Sequence, residues 1–196
     1  MPILSVFATL LKSRFFVIYF RSVTLADGVI LCYNTPKRKR GICMHKILFV
    51  CHGNICRSPM AEFIFKDMIR KRGVDHLFKV ASCATSREEI GNGVYPPARA
   101  ELARHGISCK GKYALQLTRS DYDTYDMLIA MDSYNVRNIH RLLGGDPLSK
   151  VTKLMDYTPR GGDVDDPWYT GDFETTYQNI YEGCQCLLDK ILTSRS

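Results

Sequence analysis

No uninterrupted run of about 20 apolar residues occurs in this 196-residue chain, so no membrane-spanning helix is written plainly into it. It has no CxxC pair and no Cys/His cluster with zinc-ligand spacing, which removes the common structural zinc sites. Internal repeats and low-complexity tracts are missing after Met44, so solenoid and linker architectures are excluded there. Charge of one sign is also scarce in that part. Seven of the 27 Lys and Arg precede Met44, against one of the 20 Asp and Glu, so the remainder carries 20 bases and 19 acids. The formal charge of +7 is therefore a property of the first 43 residues, and the nearly neutral body carries no nucleic-acid footprint.

What is present divides at Met44. Upstream, Ile3 to Leu11 and Phe15 to Phe20 are apolar, but Lys12, Ser13 and Arg14 separate them. A secretory signal places its positive charges before the apolar stretch and a small-residue cleavage site after it, an order not clear here. We expect residues 1–43 to be a disordered leader, or sequence upstream of the natural start, ending in the Lys37 to Arg40 charge run. The compact domain is expected over 44–196. Eight cysteines at irregular spacing in a chain of this size read as reduced thiols of a cytoplasmic protein, with Cys83, Cys109, Cys184 and Cys186 as packing residues.

From Met44 onward, apolar segments and helix signals alternate. Lys46 to Cys51, Phe78 to Cys83, Met127 to Met131 and Val151 to Met155 read as strands. Helices are expected from Ser58, as N-cap with Pro59 first and Glu62 in the first turn, to Gly73; from Pro97 to Arg104; from Asp132 or Ser133 to Leu143; and from Asp172 to about Thr193. Thr85 to Pro97 and Thr158 to Gly171 are rich in turn residues and read as loops. The alternation predicts an α/β fold, one doubly wound domain with a four-stranded parallel sheet flanked by helices on both faces. Ligands of such sheets bind at the carboxyl ends of the strands, where Cys51 falls.

The most informative segment is Cys51-His52-Gly53-Asn54-Ile55-Cys56-Arg57-Ser58, a strand end, a tight loop and a helix start. A helix N-terminus offers unpaired N–H groups and a positive dipole end, so a loop wrapped there holds a phosphate-sized anion and favours a thiolate. Gly53 permits positive φ, and Asn54 tolerates the left-handed region while tying the loop by hydrogen bonds. Arg57 supplies a guanidinium fork for two phosphate oxygens, and Ser58 a donor for the Cys51 thiolate. In-line attack by sulfur on phosphorus would give a phosphocysteine and expel an alcohol or phenol. The leaving oxygen needs a proton, for which the carboxylates of Asp163-Val164-Asp165-Asp166-Pro167-Trp168-Tyr169 are best placed. Trp168 and Tyr169 offer surfaces to a flat aromatic group.

At these residues the chain from Met44 onward resembles the low-molecular-weight protein tyrosine phosphatases. These carry C-x-G-N-I-C-R-S-P early and an Asp-Pro-aromatic-aromatic loop late; here the motifs are Cys51 to Pro59 and Asp166 to Tyr169. The resemblance implies Cys51 as nucleophile, Arg57 as phosphate clamp and Asp166 as acid and base. His52, Gly53, Asn54, Ile55, Cys56, Ser58, Trp168 and Tyr169 would bind the substrate. Asn54, Ser58, Ser82 and His105 would be the network supporting the loop and its thiolate, and Cys56 a partner able to form a reversible disulfide with Cys51. The substrate would be a phosphotyrosine protein or peptide and the product inorganic phosphate, with no metal or cofactor, no nucleic acid and no membrane. Trp168 replaces the first of the usual tandem tyrosines, and Thr85 to Ile90 lacks the aromatic residue some members place at the pocket rim, so substrate preference is open.

Three alternatives sit beside this reading. Protein-arginine phosphatases share the scaffold but resemble this chain with a threonine where Ile55 stands, and an isoleucine offers the phosphoguanidinium no hydroxyl. A thiol redox sensor using Cys51 and Cys56 would need neither Arg57 nor the Asp166-Pro167 pair. Arsenate reductases of the same fold need a further redox cysteine pair, whereas Cys83 and Cys109 are solitary.

Overall fold

In a computed structural model, residues 44–194 are described in full and residues 21–24 and 30–33 by their backbone. The chain divides into two compact units, Met1–Gly41 and Ile42–Ser196. In the first, β1 (Arg21–Thr24) and β2 (Ile30–Tyr33) pair antiparallel with Arg21 opposite Tyr33. The reading of residues 1–43 as a leader did not include this ladder, and the rest of that reading lies outside the described residues.

The second unit is built on a four-stranded, all-parallel sheet in the order β4-β3-β5-β6. Its strands are β3 (His45–Cys51), β4 (Phe78–Ala84), β5 (Met127–Ala130) and β6 (Val151–Lys153). Ile47, Leu48, Phe49 and Val50 are consecutive and all buried, as a strand covered on both faces requires. Ile47 and Phe49 join Met60, Ile64 and Met68 of α1 (Arg57–Lys71), Leu102 of α2 (Pro96–Arg104) and Leu187 and Leu188 of α6 (Phe173–Thr193) in one core. Leu48 and Val50 turn the other way, to Tyr122 of α3 (Arg119–Thr124) and to Ile139 and Leu143 of α4 (Ser133–Leu143). The sheet is therefore doubly wound, with the period-two alternation of β3 dividing its side chains between two helical layers. The α6 layer lies so close that a Cβ on Gly183 would come within 2.6 Å of Leu154 Cγ.

Several boundaries differ from the sequence reading for local reasons. Helix α1 begins at Arg57 after Cys56, not at Pro59 after Ser58, because the Ser58 hydroxyl is occupied by Cys51 and Cys83 and caps nothing. Glu62 lies beyond the first turn and is buried. Strand β6 stops at Lys153, since Leu154 and Met155 turn into a 3₁₀ segment that drives both side chains into the core. Helix α3 was not foreseen, although Thr118 and Asp121 form a capping box that announces it. The loop from Thr158 holds a single helical turn, α5 (Pro167–Thr170), which Asp166 caps by accepting from the Trp168 N–H. Among the described residues, no helix is long and apolar enough to cross a membrane.

Candidate active site

Cys51 ends the central strand β3, with β4 on one side and β5 on the other, and is 3% exposed. The next residues must reverse direction to start α1. They do so through Asn54, which adopts φ 58°, the left-handed region that asparagine tolerates better than most residues. Gly53 does not take the positive φ expected of it. Its missing side chain serves a close approach instead: a Cβ there would lie 3.1 Å from Glu89 Cγ.

The turn leaves the backbone N–H groups of Gly53, Ile55, Cys56, Arg57 and Ser58 donating to no protein acceptor among the described residues. Helix starts always leave such donors, and here they gather where the dipole is positive. The Asn54 N–H is 3.3 Å from Cys51 Sγ, and Ser58 Oγ is 3.0 Å from it. Asn54 Nδ2 donates to Ser58 Oγ at 2.8 Å and to Ser82 Oγ at 2.9 Å, while Asn54 Oδ1 accepts from the Leu115 N–H at 3.2 Å. Ser82 in turn donates to Glu62 Oε2 at 2.6 Å. One side-chain chain thus runs from α1 through β4 to the thiol.

Arg57 is 3% exposed and is held from two sides. Its Nη1 donates to Asp132 Oδ2 at 2.5 Å and to the Val164 carbonyl at 3.2 Å, and its Nη2 pairs with Asp166. Burial works against the guanidinium charge, but Cys51, Asp166 and Asp132 outweigh it and raise its pKa above the ordinary arginine value. Val164 places the acidic loop. It is fully buried, its N–H donates to the Met131 carbonyl at 2.8 Å, and this seats the segment against the end of β5. Of the three aspartates there, Asp163 is tied to Lys153 at 2.9 Å and to Ser133, and Asp165 faces solvent. Asp166 is the one that meets Arg57.

A cavity of about 170 Å³ opens over these groups, lined by Cys51, Arg57, Asp166, Trp168, Tyr169 and Glu89 among others. His52, Gly53, Ile55 and Cys56 also face it. Trp168 packs on Tyr95 with centroids 5.1 Å apart and remains 55% exposed, while Tyr169 is 86% exposed. The rim opposite is acidic, with Glu88 3.0 Å from His52 Nε2. Burial, followed by the nearby Cys51 and Asp166, pushes the Cys56 thiol up to about 12, so it is protonated near neutral pH.

His105 is not among these groups. It stacks on Tyr177 at 3.7 Å and lies 3.1 Å from Glu101 Oε1, both on its own side of α2 and α6. Near the thiol network stands Lys112 instead, donating to the Ser82 carbonyl at 2.8 Å and lying 3.5 Å from Glu62 Oε2. Sequence reasoning missed Lys112, Glu62 and the Arg57 contact of Asp132. Asp132 was legible only as a helix cap, which it also is, accepting from the Asn135 N–H at 2.5 Å. Nothing in the spacing of Lys112 marks it.

A thiol, a guanidinium, a set of free N–H donors and a carboxylate around one small cavity are the parts of a site that passes a phosphoryl group through sulfur. The comparisons agree with that class. The family profile described as low molecular weight phosphotyrosine protein phosphatase matches residues 46–196. The low molecular weight protein-tyrosine-phosphatase YfkJ of Bacillus subtilis is 41% identical over 150 residues, covering 76% of this chain and 96% of its own. Its crystal structure superposes with a TM-score of 0.77 at 40% identity, over 80% of this chain and 99% of its own. The human low molecular weight phosphotyrosine protein phosphatase is 36% identical over 149 residues, 74% of this chain and 94% of its own. A Drosophila arginine phosphatase superposes with a TM-score of 0.68 at 27% identity, over 74% of this chain and 97% of its own. The chain belongs to the low molecular weight phosphotyrosine protein phosphatase family.

Proposed function

We propose that this protein hydrolyses phosphotyrosine in proteins or peptides through a phosphocysteine on Cys51. The observation that carries the reading is the joining of Cys51, the five free loop N–H groups and Arg57 to Asp166, which is 109 residues distant from Arg57 in sequence. In the first step the phosphate takes the place of Asp166 on Arg57 Nη2, the loop N–H groups and Arg57 hold the equatorial oxygens, the Cys51 thiolate attacks phosphorus, and Asp166, freed from the guanidinium and protonated from solvent, gives that proton to the departing phenol. In the second step Asp166, now a carboxylate, takes a proton from water as it attacks the phosphocysteine, and inorganic phosphate leaves. Ser58 donates to the sulfur in its anionic state. Trp168 and Tyr169 at the cavity mouth give a phenyl ring two faces to pack on. Ile55 beside the loop offers no hydroxyl to a phosphoguanidinium, which favours phosphotyrosine over phosphoarginine.

The phosphatase unit spans residues 44–196 and acts in the cytoplasm, where thiols such as Cys51, Cys56 and Cys83 stay reduced. The deciding experiment compares turnover of phosphotyrosine, phosphoarginine and phosphoserine peptides by the full chain and by a chain starting at Met44. Phosphotyrosine should be cleaved fastest, equally by both chains, and Cys51→Ser should abolish it. Faster cleavage of phosphoarginine would transfer the reading to the alternative substrate, and undiminished turnover by Cys51→Ser would remove the mechanism.

A further inference from the structure

The hydrogen-bond chain behind Cys51 has a direction, and its origin can be traced atom by atom. Ser82 has one hydroxyl proton and gives it to Glu62 Oε2 at 2.6 Å, so its oxygen is left to accept from Asn54 Nδ2. Asn54 cannot turn its amide around, because Oδ1 is claimed by the Leu115 N–H. Its second Nδ2 proton therefore goes to Ser58 Oγ. The Ser58 proton is left with the Cys51 sulfur at 3.0 Å or the Cys83 carbonyl at 3.3 Å, and a thiolate is the stronger acceptor. The direction holds as long as Glu62 accepts at the far end.

A buried carboxylate keeps its charge only with a partner. Glu62 has two: Lys66, whose side chain is 42% exposed, on Oε1, and Lys112, 10% exposed, at 3.5 Å from Oε2. Lys112 also donates to the carbonyl of Ser82, the next member of the chain. Three residues on, the Leu115 N–H fixes Asn54, so the segment Lys112 to Leu115 grips the network at its Glu62–Ser82 end and at its middle. The electrostatic sense is visible at the neighbouring Cys83, where Lys112 favours the thiolate and Glu62 opposes it, though burial dominates. Other titratable and charged groups set around Cys51 are Arg57, Cys56 and Cys83, with Asp132 and Asp166 beyond Arg57 and His52, Glu88 and Glu89 across the cavity.

We infer that Lys112 is a positioning residue for the thiol chemistry, pairing with Glu62 and with the Ser82 carbonyl so that the donors of the Ser82–Asn54–Ser58 chain all point toward Cys51. The inference rests on Cys51 being the nucleophile proposed above, but its test reads the thiol without any phosphate substrate. The rate of Cys51 alkylation by iodoacetamide is followed against pH by mass spectrometry of the full chain, for wild type, Lys112→Met, Lys112→Arg and Lys112→Met/Glu62→Gln, with circular dichroism as a check on folding. Lys112→Met should move the alkylation midpoint upward by about 0.5–1 pH unit, less than the shifts seen for charges in direct contact. Lys112→Arg should restore most of it, and the double variant should return partway, since the uncompensated anion is gone. The acid limb of kcat/KM for a phosphotyrosine peptide should move in parallel. A folded Lys112→Met with the wild-type midpoint, or a double variant shifted further than the single one, would overturn the inference. Should Lys112→Met not fold, an unshifted Lys112→Gln midpoint would overturn it equally. Lack of phosphotyrosine turnover by the wild type, with these midpoints shifted as described, would instead count against the substrate reading alone.

Discussion

Asp132 does two jobs with its two oxygens, and they can be separated by substitution. Oδ1 caps α4 through the Asn135 N–H, and Oδ2 takes Arg57 Nη1. Asparagine caps as well as aspartate but has one oxygen and no charge, so Asp132→Asn can keep the cap only by turning its amide nitrogen toward the guanidinium. Alanine keeps neither contact. Loss of an N-cap costs about 0.5–2 kcal/mol. Removing one of two anions from a buried guanidinium costs more than a surface pair would, but Asp166 and the Val164 carbonyl still hold Arg57, so a value below the 3–5 kcal/mol of a fully broken buried pair applies. Urea denaturation should therefore rank wild type above Asp132→Asn above Asp132→Ala, the last two differing by about 1 kcal/mol. Activity should follow a different order. Both variants misplace the phosphate clamp, so both should lose about 10- to 100-fold in kcat/KM, or about 1.4–2.7 kcal/mol of transition-state stabilisation. Full activity in Asp132→Asn would show that the carboxylate does not position Arg57, and equal stability of Asp132→Ala and wild type would refute the capping argument.

Asp166→Ala should slow phosphocysteine formation most for substrates with poor leaving groups, measured by pre-steady-state release of phenols of graded pKa; an unchanged rate would move the proton donor to Asp165. Stability should fall at alkaline pH. Burial raises the Cys56 thiol from 9 to about 12 and raises the fully buried Cys184 as well, so their protonated forms support the fold fully below pH 9 and that support is lost as pH rises toward 12. Melting temperatures between pH 7 and 11 should decline, and the decline should flatten in a Cys56→Ser/Cys184→Ala protein; an identical slope would contradict it. Peroxide-inactivated protein should regain activity with thiol, and Cys56→Ser should regain less. Equal recovery would make Cys56 a bystander.

The strand order of events along the chain was legible because burial on both faces leaves an unmistakable mark. Four apolar residues in a row at Ile47 to Val50 permit little else before a loop of glycine and asparagine. The thiol loop was legible for the related reason that it is contiguous: Cys51, Asn54, Arg57 and Ser58 lie within one turn and one helix start, so their spacing carries their geometry. The network behind it is different in kind. Glu62, Ser82 and Lys112 belong to α1, β4 and the stretch before α3, and meet only because β4 lies beside β3. A single sequence holds no record of that meeting, which is why His105, with its conspicuous imidazole, drew attention while Lys112 did not. The helix start was misplaced for a related reason, since a serine that resembles a cap was spent on a sulfur.

Arg57 also does something for the shape of the protein before any phosphate arrives. It ties together the ends of three chain segments, the turn out of β3, the cap of α4 after β5 and the Val164 to Asp166 stretch leading into α5. The guanidinium works as a clasp, and because its Nη2 rests on Asp166, an arriving anion that takes that nitrogen opens one side of the clasp and frees the carboxylate at the same moment.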